Sequence, residues 1–123
     1  NIELAHPFHL HGSGFYVLAQ GLLTDVNINQ MNYKQALGRH EQFYGARNRR
    51  PPVKDTLATP SAGYTIVRFL ADNPGYWLYH CHFMTHLLTG MDLVFHVGSN
   101  DNLPPIPEGF PKCGTFQPDI LRN

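Results

Sequence analysis

Tyr79-His80-Cys81-His82-Phe83-Met84-Thr85-His86-Leu87-Leu88-Thr89-Gly90-Met91 gathers imidazole, thiol and thioether side chains into one short span. Their parity decides what the chain can hold. On an extended strand successive side chains point to opposite faces, so Cys81 faces one way while His80 and His82 face the other. A thiolate, two imidazoles and a weak, distant thioether in a trigonal arrangement suit a blue electron-transfer copper. Cys81, His86 and Met91 supply three of those four groups. His80 and His82 then point to a second metal site behind the first, with the backbone at Cys81 as a short electron path between them.

The missing imidazole stands far upstream, in Leu4-Ala5-His6-Pro7-Phe8-His9-Leu10-His11-Gly12. His9 and His11 share a face of an extended chain, and His6 has the opposite parity. His6 therefore completes the set of Cys81, His86 and Met91, while His9 and His11 join His80 and His82. Pro7 removes a backbone donor, which fits a sheet edge or the start of a strand. A loose His-rich metal-binding patch would explain either stretch alone, but not the matched parity of both. His82 and His86 have the spacing of a zinc-binding helix, yet the His-Glu-x-x-His arrangement is absent.

Outward from these stretches the chain reads as strands and turns. Phe15–Ala19 continues a strand that ends at Gln20-Gly21, and the polar run from Leu22 to Pro52 reads as a long surface connection with one helical turn around Asn32–Leu37. His40, in that connection, reads as a surface histidine. Val53–Ala58 reads as one short strand, and Tyr64–Ala71, apolar on both faces apart from Arg68, as a central strand. Asp72-Asn73-Pro74-Gly75 is a turn signal. Tyr76-Trp77-Leu78-Tyr79 reads as core packing that leads into His80. Asp92–Val97 alternates like a last strand, with Met91, Leu93, Phe95 and Val97 on one face and His96 turned away in a structural role. Residues 99–123, with their prolines, read as a tail along a surface. The pattern predicts an all-β, Greek-key fold.

Composition excludes several classes. Nine Lys plus Arg balance nine Asp plus Glu, so there is no basic field for nucleic acid or anionic lipid, and the cluster of Arg47, Arg49 and Arg50 beside Pro51-Pro52 reads as a solvated loop. No apolar run approaches the length of a membrane span. Cys113, the second of two cysteines, has no partner left in the chain once Cys81 binds metal; it reads as a bridge to residues outside this chain or as an inert thiol. The chain opens at Asn1 without Met, and its first ligand falls at His6, which predicts a piece of a longer protein.

With both ligand stretches in view, the chain resembles the C-terminal part of a multicopper oxidase of the laccase kind. The resemblance rests on His6-Pro7-Phe8-His9-Leu10-His11-Gly12 and on His80 to Met91. It extends to Lys54-Asp55-Thr56, Asp72-Asn73-Pro74-Gly75-Tyr76-Trp77 and the Leu103-Pro104-Pro105 tail, which are similar to arthropod, including insect, laccases. It implies a cupredoxin-like Greek-key β-sandwich or barrel, incomplete here, with residues 1–98 as the C-terminal part of the third domain and 99–123 as a Pro-rich tail.

The resemblance also implies roles. His6, Cys81 and His86 would bind the type 1 copper, with Met91 axial; His9 would bind type 2 copper, and His11, His80 and His82 the type 3 pair. His86 would receive the electron from a phenolic substrate, and Cys81 would relay it through His80 and His82 to a cluster where O2 is reduced to water. The type 1 set would be complete and the type 2 and type 3 sets half-liganded, the remaining imidazoles lying in N-terminal cupredoxin domains. This 123-residue chain alone is therefore expected to be inactive toward O2. Implied too are secretion to the extracellular space and an alternative as a ferroxidase or ascorbate-oxidase-like enzyme. The non-enzymatic alternative is a single-copper electron carrier, which would have no use for His9, His11, His80 and His82.

Overall fold

The structure, a computed structural model, describes residues 5–47 and 49–110. Among the described residues seven strands form two antiparallel sheets, as the all-β reading expects. β1 (His6–Leu10), β4 (Thr56–Thr59), β6 (Gly75–Cys81) and β7 (Asp92–Val97) make one sheet in the order β4-β1-β6-β7. β2 (Phe15–Leu22), β3 (Val53–Lys54) and β5 (Gly63–Phe69) make the other, in the order β3-β2-β5. The chain changes sheet between β1 and β2, between β3 and β4, between β4 and β5, and between β5 and β6, so neighbours in space are mostly not neighbours in sequence.

Apolar side chains from both sheets meet between them. Leu10, Phe15, Ala19, Tyr64 and Val97 are buried, Phe15 at 1 % exposure. Aromatic rings carry the contact across the sheets: Phe69 of β5 lies 5.1 Å from Phe95 of β7, and Phe95 lies 6.2 Å from Tyr79. Tyr79 stacks on Phe8 at 5.1 Å. Such pairs add about 0.5–1.5 kcal/mol each beyond area burial.

Three expectations are corrected. Val53–Ala58 is not one strand: Val53–Lys54 pairs with β2 and Thr56–Thr59 with β1, so the chain crosses between sheets at Asp55. Hydrophobic pattern cannot reveal a crossover within so short a run. Tyr64–Ala71 is not central either, because β5 lies at one edge of its sheet and β2 occupies the middle. Its two faces have different partners: the Thr65 hydroxyl, on the face of Phe69, lies 3.0 Å from that of Thr59 where β4 meets β5, and Tyr64, of opposite parity, meets His40.

The third correction is the connection after β2. A helix of three turns, α1 (Tyr33–Tyr44), replaces the expected single turn. A reciprocal capping box starts it: Asn32 Oδ1 accepts from the Gln35 N–H at 3.0 Å, and Gln35 Oε1 accepts from the Asn32 N–H at 3.1 Å. Ala36 and Leu37 bury its inner face, and α1 packs on β2. His40 is half-buried rather than a free surface group, with Nδ1 2.9 Å from the Tyr64 hydroxyl. Tyr44 donates to Asp25 Oδ2 at 2.6 Å. His96 stacks face to face on Tyr76 at 4.4 Å.

After β7 a short 3-10 turn, Asn100–Asn102, leads into the Pro-rich segment, which faces Pro74–Trp77 across a cavity of about 890 Å3. Cys113 and its bridge lie outside the described residues. No helix among those residues is long and apolar enough to cross a membrane.

The anchoring of α1 has a pH signature. Burial pushes His40 below its ordinary value of 6.5, opposed by the Glu41 carboxylate and assisted by Arg47. The unfolded chain then takes up a proton at His40 before the folded chain does, so this contribution to stability is complete above 6.5 and is lost as pH falls through and below it. Denaturant midpoints measured between about pH 7.5 and about pH 5.5 should fall less steeply in His40→Gln than in the parent.

Candidate metal centres

The pairing of β1 with β6 builds the site. Phe8 lies opposite Cys81 and His9 opposite His80. Directly opposed residues present side chains to the same face, so the face of Phe8 carries His6 and Cys81, and the other face carries His9 and His80. At the ends of the pairing, the His82 N–H donates to the Pro7 carbonyl at 2.7 Å and the His11 N–H to the Leu78 carbonyl at 2.9 Å.

On the first face three donors converge. Cys81 Sγ lies 3.5 Å from His86 Nδ1 and 3.8 Å from His6 Nδ1, and the two imidazole nitrogens are 3.2 Å apart. A trigonal ion with bonds of about 2.0 Å to nitrogen and about 2.3 Å to sulfur spaces its donors about 3.5 and about 3.7 Å apart. The triangle therefore fits one ion. Cys81 is fully buried, and His6 and His86 are half-buried.

His86 reaches this position on a local element that the sequence did not reveal. Within the ligand loop Met84–Leu88 forms a single helical turn, α2, that folds His86 back over Cys81. The His86 carbonyl accepts from the Met91 N–H at 3.0 Å, and the Met91 carbonyl accepts from the Cys81 N–H at 3.0 Å. These two bonds tie His86, Met91 and Cys81 into one frame. His82 precedes α2 and is exposed, so the His82 and His86 pair does not lie along one helix.

The second face gathers His9, His11, His80 and His82. Ring centroids are 4.9 Å apart for His9 and His11, 5.2 Å for His11 and His80, 5.5 Å for His80 and His82, and 5.9 Å for His9 and His82. Two tautomers follow from backbone carbonyls, which can only accept. His9 Nδ1 is 2.9 Å from the Asp55 carbonyl and His80 Nδ1 is 3.0 Å from the Cys81 carbonyl, so each Nδ1 carries the proton and each Nε2 keeps its lone pair. His11 Nε2 lies 3.2 Å from His80 Nε2, a separation suited to two nitrogens on one ion. Lost solvation, then the influence of His9, His80 and His82, pushes His11 below its ordinary value.

A family model described as multicopper oxidase matches residues 1–101. The chain belongs to the multicopper oxidase family. Laccase-7 of Oryza sativa subsp. japonica is 39 % identical over 114 residues, covering 88 % of this chain and 18 % of the relative. The laccase from Botrytis aclada aligns in structure with a TM-score of 0.62 at 33 % identity, covering 85 % of this chain and 17 % of that one. Fet3p, a multicopper oxidase that functions in iron import, aligns with a TM-score of 0.53 at 34 % identity, covering 76 % and 17 %. The chain thus spans under a fifth of the length of these relatives, and its fold is that of their cupredoxin-like domain. These plant and fungal proteins do not bear on the narrower likeness to arthropod laccases. Copper is the metal of the family, and both donor sets have the chemistry to hold it.

Trp77 and Asn73, outside the ligand sets, fix their frame. Trp77 Nε1 donates to the Asn73 carbonyl at 2.8 Å, and Asn73 Nδ2 donates to the Gly12 carbonyl at 2.8 Å, so the turn before β6 grips the residue after His11. Gly12 has φ of 72°, and a Cβ there would sit 2.2 Å from the Trp77 ring. Gly12→Ala should lower unfolding stability by about 2–4 kcal/mol, from left-handed strain plus overpacking. Chemical denaturation measures the loss; a cost within about 0.5 kcal/mol would show that the indole does not press on Gly12.

Proposed function

We propose that this chain is the copper-bearing C-terminal part of a laccase-type oxidase that removes single electrons from diphenols and catechols and passes them to O2. The carrying observation is that His6, Cys81 and His86 converge on one side of β1 and β6 while His9, His11, His80 and His82 converge on the other. When bound, copper supplies one-electron transfer at the first set and reduction of O2 to water at the second. His6, Cys81 and His86 would hold the type 1 copper, with the Met91 thioether as a weak further ligand. His9 would hold the type 2 copper, and His11, His80 and His82 the type 3 pair. The family match to residue 101 and the end of β7 at Val97 support residues 1–98 as the domain part and 99–123 as the tail.

The chain's own residues divide the work. Cys81 joins the two donor sets through a covalent path, since His80 and His82 are its immediate neighbours. Full burial of Cys81 keeps water from the thiolate, while half-exposed His86 stands between that thiolate and solvent. Four imidazoles are enough for one tetrahedral ion at about four donors each, so a larger cluster draws further ligands from other cupredoxin domains of the same protein. Secretion to the extracellular space accords with the laccase likeness.

The rim around His86 favours an organic reductant. Phe83, Met84 and Leu88 are 40 %, 67 % and 78 % exposed, the Phe83 ring meets His86 edge-on at 5.3 Å, and no carboxylate stands between Cys81 and Met91. A flat aromatic ring is suited to such a rim, and a ferrous ion is not. The structural likeness to Fet3p keeps ferrous iron as the second reading.

In the full-length enzyme Cys81→Ser should abolish the intense blue absorption of the thiolate-bound copper. His80→Ala should keep that absorption while catechol-dependent O2 uptake falls on the order of 100-fold or more. Blue absorption that survives Cys81→Ser would refute the ligand assignment, and faster turnover of ferrous iron than of catechol would favour the second reading. Met91→Leu should raise the reduction potential of the blue copper; an unchanged potential removes Met91 from the axial position.

A further inference from the structure

Lys54-Asp55-Thr56 is where the chain crosses from one sheet to the other, and it meets the metal-facing histidines there. Thr56 lies directly opposite His9 in the pairing of β1 with β4, so the two side chains share a face. Thr56 Oγ1 is 3.0 Å from His9 Nδ1, and the Asp55 carbonyl is 2.9 Å from the same nitrogen. The Asp55 carbonyl also accepts from the Leu10 N–H at 3.0 Å, which pins the crossover to β1.

We propose that Thr56 is a positioning residue for His9, fixing which edge of its imidazole faces the second donor set. The inference rests on the reading of His9 as a copper ligand. A turn of the ring by half a revolution would put a carbon where Nδ1 now stands, against two oxygens, and both polar contacts would be lost. In the present orientation Nε2 is the edge left for an ion. The Asp55 carbonyl holds the proton on Nδ1; the Thr56 hydroxyl adds a second oxygen on the same side, so neither ring rotation nor tautomer exchange leaves the polar contacts intact. Thr56 is β-branched, with a restricted first torsion, so the oxygen is held without ordering a long side chain. Groups of this kind, one bond removed from the metal, typically change metal affinity about 10- to 100-fold when removed.

The test uses the full-length enzyme and three variants: Thr56→Val, which keeps shape and loses the hydroxyl, Thr56→Ser, which keeps the hydroxyl, and His9→Ala. The readouts are copper bound per molecule under a competing chelator, the paramagnetic resonance signal of the non-blue copper, and the blue absorption that reports the Cys81 set. Thr56→Val is expected to hold one copper about 10-fold more weakly and to alter the non-blue signal, with the blue absorption unchanged and Thr56→Ser close to the parent.

The inference is overturned alone if Thr56→Val matches the parent in chelator resistance and resonance signal while His9→Ala loses copper. It is also overturned if Thr56→Ser fails to restore the signal, or if the blue absorption fades with it, since either marks a packing role. Retention of all copper by His9→Ala overturns the ligand reading itself.

Discussion

The register of β1 against β6 is the constraint on which the site depends. Side chains alternate with a period of two, so a slip by one residue would turn His6 and Cys81 to opposite faces and scatter both donor sets. The register is held at both ends of the pairing, by His82 N–H to the Pro7 carbonyl and by His11 N–H to the Leu78 carbonyl. Between those bonds Phe8 stacks on Tyr79, and Leu10 is buried at 3 % exposure. The hydrophobic contact that stabilises the sheet therefore also sets the spacing of the ligands.

Convergent imidazoles and a buried thiol are a poor basis for stability in themselves. Unpaired buried polar groups cost about 1–3 kcal/mol each. The structure limits that cost by pairing donors with one another and with backbone carbonyls: His6 with His86, His11 with His80, His9 with Asp55, and His80 with Cys81. No described buried side-chain nitrogen or oxygen lacks a partner. The nitrogen-to-nitrogen contacts at 3.2 Å are weak, and an ion that accepts both lone pairs displaces them while leaving the carbonyl contacts in place. Occupied sites then stabilise the folded chain by mass action, since the unfolded chain does not hold these donors together.

What could be read in the sequence followed from periodicity. The alternation of His6 against His9 and His11, and of Cys81 against His80 and His82, is a local property of extended chain, and pairing the two stretches adds no new unknown once their faces match. The all-β architecture followed likewise from the strand runs and turn signals. Non-local or backbone-borne features were hidden. The split of Val53–Ala58 at Asp55, the edge position of β5 and the burial of His40 against Tyr64 depend on which strand lies beside which. The length of α1 was partly legible, because Asn32 and Gln35 have capping-box spacing, but the polar run after them masked the helix. The turn α2 left no periodic signal in five residues.

The tautomers of His9 and His80 show why part of the site is silent in the sequence. Their Nδ1 protons are held by carbonyl oxygens of Asp55 and Cys81, groups that every residue carries, so residue identity at those positions does not announce the contact. Position announces it instead. Cys81 has two separate tasks: its side chain faces His6 and His86, and its carbonyl orients His80 on the opposite face. A substitution at position 81 can remove the first task while leaving the second, because the carbonyl remains. Loss of the thiol need not disorder the second donor set, whereas displacement of the β6 backbone would disturb both. The two centres are coupled mechanically through one peptide unit, and that unit is held by Met91 from one side and by β1 from the other.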